Sequence, residues 1–366
     1  MSTYVSLWLA LSIFVGMHAF VYRRIQGGLR LAPRPRYSLL AFLALGGLLF
    51  LGAMIARRSG AWAPFFLVFV HWLGFLAIGC SGLFLEFVFS LLFPEKRRRI
   101  VWLALILIGI AIPASVFLGR SDPVLREVPV AVRDLPDFLE GYTIVHLSDL
   151  HLGHSMPAAQ LQRIVSQVNG LNSSLVVITG DVFDRQLCET EDYCRILSQL
   201  RAAHGVWAVS GNHDVYNGID YFYQAMAGAG IGALRNRLVV LENGLQLVGM
   251  EDDYGSFEGE RRNPRSALQA AILRRDSGKP ILLLSHRPTR FADAVEQGIL
   301  LQLSGHTHAG QIPPTDFLVW LLFRYSHGLY REGNSYMHTS AGTSTWGPRM
   351  RLFTPSEIVR LTLTRE

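Results

Sequence analysis

Charge and cysteine are both scarce in this sequence of 366 residues. Only 17% of the residues are charged, against about a quarter in soluble globular domains, whereas 50% are hydrophobic and the mean hydropathy is +0.27. This apolar composition excludes a wholly disordered chain and argues against an ordinary soluble enzyme. Of the three cysteines, Cys188 and Cys194 would pair in an exported domain or stay thiols in a cytoplasmic one, and the sequence leaves both alternatives open.

Acidic residues are nearly absent from the first third of the chain. Residues 1–120 hold twelve Lys and Arg but only two acids, a net charge of +10, whereas residues 121–366 hold 22 basic and 26 acidic residues, a net of −4. The overall net charge of +6 is therefore the sum of two unlike parts. Because the second part lacks the basic surface that nucleic acids require, we expect no nucleic acid partner.

Long apolar runs dominate the first part. Four stretches, 4–22, 37–56, 61–93 and 100–118, contain no charge except Glu86 in the third. A bilayer-spanning helix needs about 20 apolar residues. Buried core helices are the alternative, but such helices usually carry polar residues along one face at a period of 3.6 residues, and these stretches do not. We therefore expect a transmembrane region over residues 1–120, with helices at about 4–22, 37–56, 61–90 and 100–118.

The short connections between these stretches are basic, which predicts a membrane orientation. The first and third connections carry nine Lys and Arg, and the segments on the other side carry five. The positive-inside rule then places the first and third connections in the cytoplasm. The expected location is a multi-pass protein of the plasma (inner) membrane, with an extracytoplasmic C-terminal domain.

Apolar runs and helical patterns alternate in the second part. A linker and entry strand at 121–140 is followed by runs typical of buried strands at 142–147, 175–179, 206–210, 281–285 and 299–304. Helical patterns fall at 157–169, 189–203, 220–229 and 265–275. This alternation predicts an α/β domain.

Polar residues with metal-binding chemistry directly follow each of the five apolar runs. They are Asp149 and His151, then Asp181 and Asp184, then Asn212, His213 and Asp214, then His286 and Arg287, and finally His306 and His308. In open α/β sheets, sites form at the carboxyl ends of strands. The ordered set therefore predicts one composite site, although a single Asp-x-His or His-x-His pair would more often be an ordinary loop.

The text around these residues resembles the calcineurin-like metallophosphoesterase superfamily. The segments IVHLSDLHLG, VVITGDVFD, VWAVSGNHD, ILLLSHRP and LQLSGHTHAGQI are similar to its membrane-associated phosphodiesterase branch, which includes transmembrane proteins with a metallophosphoesterase domain. The resemblance covers about residues 124–366. It departs at Ala309, where relatives usually have glycine. It implies a four-layer αββα sandwich.

The resemblance also implies a role for each residue. One metal ion would take Asp149, His151 and His308, the other Asn212, His286 and His306, and Asp181 would bridge the two. His213 would face the phosphate or the leaving oxygen, and Asp214 would orient its imidazole. Two further roles are argued from the residues themselves. Asp184 is expected to brace its loop, with metal binding as the alternative. Arg287, next to the candidate ligand His286, would contact a phosphate oxygen or form a surface salt bridge, and both alternatives stay open.

The expected activity is a metal-dependent phosphodiesterase or pyrophosphatase that works by metal-activated hydroxide attack. Nitrogen and oxygen donors suit two divalent ions such as Mn²⁺, Fe or Zn²⁺. A lipid-linked substrate, similar to UDP-diacylglucosamine or a phospholipid, fits a membrane anchor. The sequence does not predict the oligomeric state. The alternative is a non-enzymatic membrane scaffold or sensor that keeps the metal fold.

One further apolar segment follows the last candidate ligands. Residues 317–323 read FLVWLLF and lack a polar face. A buried helix is one interpretation. The other is a membrane-dipping or acyl-chain-binding element beside the metal site.

Overall fold

The computed structural model describes residues 3–59, 62–153, 155–184, 190–252 and 264–366. Cys188, one of the two cysteines whose pairing was left open, lies outside these ranges. The chain divides into two compact units. The first comprises Met1–Arg120, Ile312–Asp316 and Gly347–Phe353, and the second comprises Ser121–Gln311, Phe317–Trp346 and Thr354–Glu366.

Four long helices form the first unit. They are α1 (Thr3–Leu29), α2 (Pro33–Ser59), α3 (Trp62–Leu92) and α4 (Arg97–Arg120). Over the described residues, two stretches are long and apolar enough to cross a membrane, Leu67–Leu92 and Pro94–Arg120. Four helices thus occur where four were expected, and two stretches within their described residues meet the length and composition of a span.

An ion pair explains the one acid inside the apolar stretches. Glu86 is buried on α3 and accepts two hydrogen bonds of 2.8 Å from the guanidinium of Arg24 on α1. The Ser90 hydroxyl donates a third at 2.7 Å. A buried charge is tolerated when it is paired and hydrogen-bonded, so this pair joins α1 to α3.

The later segments of the first unit pack on its helices at glycines. The side chain of Met350 contacts Gly74 of α3, and the backbone at Met350 contacts Gly119 of α4. The N–H of Arg351 donates to the carbonyl of Ser115 at 2.8 Å. A Cβ atom at Gly119 would approach the Met350 nitrogen to 2.4 Å, so only glycine permits this contact.

Two six-stranded sheets form the second unit. The strands are β1 (Val124–Val132), β2 (Thr143–Leu147), β3 (Leu175–Thr179), β4 (Val206–Val209), β5 (Gly232–Ala233), β6 (Arg237–Val240), β7 (Gln246–Met250), β8 (Ile281–Ser285), β9 (Leu301–Ser304), β10 (Gly328–Glu332), β11 (Ser335–Thr339) and β12 (Glu357–Arg365). The first sheet has the order β1-β12-β2-β3-β4-β5 and the second β10-β11-β9-β8-β7-β6. In the centre of each sheet, β2, β3 and β4 run parallel, as do β7, β8 and β9.

The helices after the first four are α5 (Ala158–Gly170), α6 (Thr190–Leu197), α7 (Asn212–Tyr216), α8 (Ile219–Gly228), α9 (Pro264–Ala271), α10 (Phe291–Glu296) and α11 (Thr315–Leu322). Helices α5, α6 and α8 cover the outer face of the first sheet, and α9 and α10 cover that of the second. Successive side chains of a strand point to opposite faces of the sheet. Ile144 therefore packs in the core between the two sheets, whereas Val145 packs in the core formed with α5, α6 and α8. The expected sandwich of helices and two sheets is confirmed.

A buried carboxylate joins the first and last strands of the second unit. Glu357 on β12 accepts hydrogen bonds from Arg126 on β1 at 2.7 Å and from the N–H of Ala341 at 2.8 Å. His327 lies 3.3 Å from the same carboxylate. Burial alone would raise the pKa of Glu357, but its bond and charge interaction with His327 and the Ala341 N–H lower it to about 2.

Candidate metal centre

Unusual backbone conformations mark the loops that follow the central strands. Asp149, His151, Asp181, His306 and His308 all have positive φ angles, between 46° and 73°. Non-glycine residues adopt this left-handed region at an energetic cost, and such strain concentrates at functional sites. The loops are thus held in conformations that aim these side chains toward one another.

Two glycines allow the loops to approach closely. A Cβ atom at Gly305 would lie 1.8 Å from the Ser148 hydroxyl and 2.3 Å from an oxygen of Asp149. At Gly211 it would lie 2.2 Å from an oxygen of Asp181. Real Cβ atoms do not come so near, so glycine is required at both positions.

The first group of donors is formed by Asp149, His151 and His308. The Nε2 atoms of the two histidines lie 3.1 Å apart, and His308 Nε2 lies 3.4 Å from Asp149 Oδ1. All three residues are buried, and one donor atom of each lies within 4.8 Å of the others. This spacing can hold a metal ion.

The second group is formed by Asp181, His286 and His306. His286 Nε2 lies 3.3 Å from Asp181 Oδ2 and 3.2 Å from His306 Nδ1. Their donor atoms also lie within 4.8 Å of one another. The structure therefore brings together six of the seven predicted ligands in two groups of three.

Asp181 and Asn212 connect and complete the two groups. Asp181 Oδ2 also lies 3.8 Å from His151 Nε2 of the first group, while Asp181 Oδ1 accepts the N–H of His213 at 2.8 Å. The side-chain oxygen of Asn212 is buried and has no hydrogen-bond partner within the described part of the chain. Since a buried carbonyl oxygen is costly without a partner, this atom suits a cation.

The aspartates of this centre raise the pKa values of two of its histidines. Burial alone would lower the pKa of both His151 and His286, but nearby aspartates raise these pKa values to about 9 and about 10. Asp181 is buried too, yet the charge of His286 holds the pKa of its carboxyl well below the ordinary range. The negative potential that retains protons on these rings is the potential that divalent cations would balance.

The carboxylate of Asp184 contacts Nδ1 of His151, while Nε2 of the same ring faces His308. His151 Nδ1 lies 2.5 Å from Asp184 Oδ1, and the Ser155 hydroxyl donates to the other oxygen at 3.3 Å. A carboxylate on the second ring nitrogen fixes the tautomer and the orientation of a metal-binding histidine. Asp184 thus has a specific partner, beyond the loop-bracing role expected from the sequence.

A chain of buried polar side chains supports Asp149, and sequence reasoning missed it. The Ser148 hydroxyl donates to Asp149 Oδ2 at 2.6 Å, the Thr179 hydroxyl donates to Ser148 at 2.8 Å, and His146 Nε2 lies 2.7 Å from Thr179. The available signal was the presence of His146 and Thr179 within otherwise apolar strands. Polar residues buried in a strand need hydrogen-bond partners, and here these hydrogen bonds connect the strands to the candidate ligand Asp149.

The structure gives Asp214 contacts other than the one expected with His213. Its carboxylate accepts backbone N–H groups of Gly211 at 2.9 Å and of Val182 and Phe183 at 3.1 Å. These contacts arise because Asp214 is in the first turn of α7 and folds back onto the helix start. Neighbouring residues of a helix do not face each other. The carboxylate nearest the His213 ring is instead Asp184, at 3.7 Å from Nδ1.

Aromatic side chains flank His213. Its ring centroid lies 5.5 Å from that of Tyr216 and 6.0 Å from that of Trp346. Gln311 fixes Trp346 through two backbone hydrogen bonds, of 2.9 and 3.0 Å. His213 thus lies between two aromatic rings that are themselves more than half exposed.

Arg287 forms an ion pair. Its Nε atom donates to Asp252 Oδ2 at 2.8 Å, and the Asp252 carboxylate is buried. This is one of the two alternatives left open by the sequence. The phosphate contact stays a proposal.

Comparisons with known proteins agree with the motifs. A family model described as calcineurin-like phosphoesterase matches residues 142–310. An uncharacterized metallophosphoesterase of Helicobacter pylori is 30% identical over 363 residues, which cover 93% of this chain and 94% of that protein. Proteins named transmembrane protein with metallophosphoesterase domain are 33% identical in Danio rerio, covering 80% of this chain and 74% of the relative, and 27% identical in Bos taurus, covering 89% and 74%.

Proposed function

The chain belongs to the calcineurin-like metallophosphoesterase family, and from that premise we propose that it is a membrane-anchored dimetal hydrolase of phosphodiester or pyrophosphate bonds. The observation that carries the proposal is the position of Asp181. One of its oxygens lies 3.3 Å from His286 of one donor group and 3.8 Å from His151 of the other. A single carboxylate shared by two donor groups suits a pair of metal ions.

The donor groups divide between the two ions. Asp149, His151 and His308 would hold one ion, Asn212, His286 and His306 would hold the other, and Asp181 would contact both. When bound, two divalent cations such as Mn²⁺, Fe or Zn²⁺ supply an activated water and neutralise the charge of the phosphoryl group. The Asn212 oxygen, which has no hydrogen-bond partner among the described residues, supports this assignment.

The remaining residues bind and orient the substrate. His213 is partly exposed between its aromatic neighbours, and we assign it to the phosphate or the leaving oxygen as a hydrogen-bond or proton donor. Its backbone is fixed on Asp181, and Asp184 lies near its ring. Arg287 is a second candidate for the phosphate, because it directly follows the candidate ligand His286 and a guanidinium can contact a phosphate through two N–H groups.

Membrane anchoring is supported by the two helices long enough to span and by the relatives named transmembrane proteins. We propose four spans, with the catalytic unit outside the cytoplasm, from the distribution of basic residues. An anchored enzyme suits a lipid-linked phosphoester. If the unit faces outward, a phospholipid is favoured over a nucleotide-linked lipid, since nucleotide-linked precursors are cytoplasmic. An alkaline phosphatase fused to the C-terminus should be active; an inactive fusion, beside an active cytoplasmic reporter, would reverse the orientation.

Hydrolysis of a chromogenic diester tests the activity. The full chain, purified in detergent, should release nitrophenolate from bis-p-nitrophenyl phosphate when Mn²⁺ is added. Asp181→Asn should remove most of this activity, while the control Glu242→Gln, at an exposed turn position, should retain it. Equal activity of both variants in a metal-free preparation would contradict the proposal.

A further inference from the structure

Helix α11 exposes apolar side chains that a water-soluble surface does not normally carry. Within Thr315–Leu322 no residue is buried. The exposed fractions are 59% for Phe317, 68% for Trp320, 62% for Leu321 and 74% for Leu322. The interpretation of this segment as a buried helix is therefore wrong, and a contiguous apolar patch of this kind marks an interaction surface.

The exposed sector is too wide for a groove. At 100° per residue, the exposed apolar side chains from Phe317 to Leu322 cover about 200° of the helix circumference. A helix that packs in a protein groove buries a stripe of roughly 100° or somewhat more. The fluid acyl chains of a lipid bilayer can surround a wider part of a helix, and they therefore fit the exposed sector of α11 better than a protein groove does.

The dimensions of α11 fit the surface of a bilayer. Eight residues of helix measure about 12 Å, against about 30 Å for the hydrocarbon core, so α11 is too short to span the core and has the length of an interfacial element. Trp320 is a residue type that favours this boundary. Charged residues bracket the apolar run, Asp316 before it and the largely exposed Arg324 after it. In the described part of the same chain, two helices are long and apolar enough to cross a membrane.

The end of α11 adjoins the candidate metal centre. The Phe323 ring, directly after the helix, lies 6.0 Å from the ring of His306. The Thr307 hydroxyl donates to the carbonyl of Ser326 at 2.6 Å, which ties the chain after α11 to the histidine loop. An element inserted into the bilayer here would hold the metal centre at the level of lipid headgroups.

We propose that α11 inserts into the bilayer surface and presents the metal centre to the headgroups of lipid phosphoesters. The role of α11 in substrate access rests on the function proposed above, whereas its insertion does not. Two measurements therefore separate the two claims.

Insertion is measured by the depth of a spin label in the full chain, reconstituted in phosphatidylcholine–phosphatidylglycerol vesicles. The labelled variant is Leu321→Cys in a background without Cys80, Cys188 and Cys194, and the control is Leu273→Cys, at a position that is 82% exposed. We expect the label on α11 to be accessible to oxygen and shielded from aqueous nickel, and the control label to show the reverse. A label on α11 that is exposed to nickel, or that is shielded from both reagents by a protein contact, would overturn insertion.

Substrate access is measured with two diesters that share a leaving group, hexadecyl and methyl p-nitrophenyl phosphate. Leu321→Ser combined with Leu322→Ser should lower kcat/KM for the vesicle-borne hexadecyl ester, relative to the methyl ester, by about tenfold. Leu273→Ser should leave this ratio at the wild-type value. An unaltered ratio in the double variant would overturn the role in access, whereas a wild-type protein that cleaves neither ester would overturn the proposed function instead.

Discussion

The imidazole of His151 is held by Asp184: the two side chains meet at 2.5 Å between Nδ1 and Oδ1. This contact leaves Nε2 of His151 directed at His308 and Asp181, at 3.1 and 3.8 Å. A carboxylate in this position sets the tautomer that a metal ion requires. We therefore propose that Asp184 acts on the candidate metal centre through His151.

Replacing Asp184 should weaken metal binding. Asp184→Asn keeps the size of the side chain but removes its charge, so we expect about 10–100-fold lower affinity for the activating metal. Nitrophenyl diester turnover as a function of Mn²⁺ concentration measures this, and excess metal should restore much of the rate. Asp192→Asn, at an exposed helical position, is the matched control. An unshifted metal dependence in Asp184→Asn would contradict the assignment.

Asp214 should prove to be a structural residue. Asp214→Ala leaves three backbone N–H groups without their acceptor, and each unsatisfied buried donor costs about 1–3 kcal/mol. We expect a markedly lower Tm in thermal unfolding. His213→Ala, by contrast, should keep the wild-type Tm and lose activity. If Asp214→Ala retains the wild-type Tm but loses activity, the carboxylate serves the histidine after all.

Gly305 should not tolerate a side chain. Its Cβ would enter the space of the Ser148 hydroxyl and of Asp149, so Gly305→Ala should displace this ligand and abolish most diester hydrolysis. Overpacking of this kind also lowers the free energy of unfolding by about 1–3 kcal/mol. Gly170→Ala is the control, because a Cβ at this helical position meets nothing within 4 Å. Full activity of Gly305→Ala would show that the two loops are not in contact.

The stability of the second unit should depend on Glu357 in a defined pH range. Its folded pKa of about 2 lies below the ordinary value of 4.5, so the ionised group stabilises the fold fully above about pH 4.5. This contribution is lost as the pH falls toward 2. Glu357→Gln should lower the free energy of unfolding at pH 7 by on the order of 3 kcal/mol.

Unfolding curves of wild type and Glu357→Gln, recorded from pH 7 downward, measure this effect. The difference between the two proteins should shrink below pH 4.5. Glu127→Gln, which removes an exposed ion pair with Arg360, should change little. A difference between wild type and Glu357→Gln that stays constant with pH would exclude the charge of Glu357 as the cause.

Much of the fold and the centre could be read from the sequence because both depend on local patterns. Asp149, Asp181 and His306 directly follow buried parallel strands, and such strand ends meet at one edge of a sheet. Because these strand ends meet, the loops that follow them approach one another closely, and the structure requires glycine at 211 and 305 where they do so.

What could not be read depends on contacts between distant residues. The pairing of His151 with Asp184 joins two loops, and the ion pair of Arg24 with Glu86 joins two helices. The backbone contacts of Asp214 were not predicted either, because its proximity to His213 in sequence does not bring their side chains together on a helix. Burial of the 317–323 segment could not be decided either, because apolar composition alone does not show which surfaces surround a helix.

The proposed function depends on a pair of metal ions that share Asp181. Metal content and diester hydrolysis, measured on one preparation of the full chain, test it most directly. We expect about two equivalents of divalent metal per chain, loss of hydrolysis when a chelator removes them, and recovery when Mn²⁺ is returned. Asp181→Asn should retain fewer than two equivalents and little activity. Hydrolysis that persists in the metal-free protein, or an Asp181→Asn variant with full metal content and full activity, would contradict a shared dimetal centre.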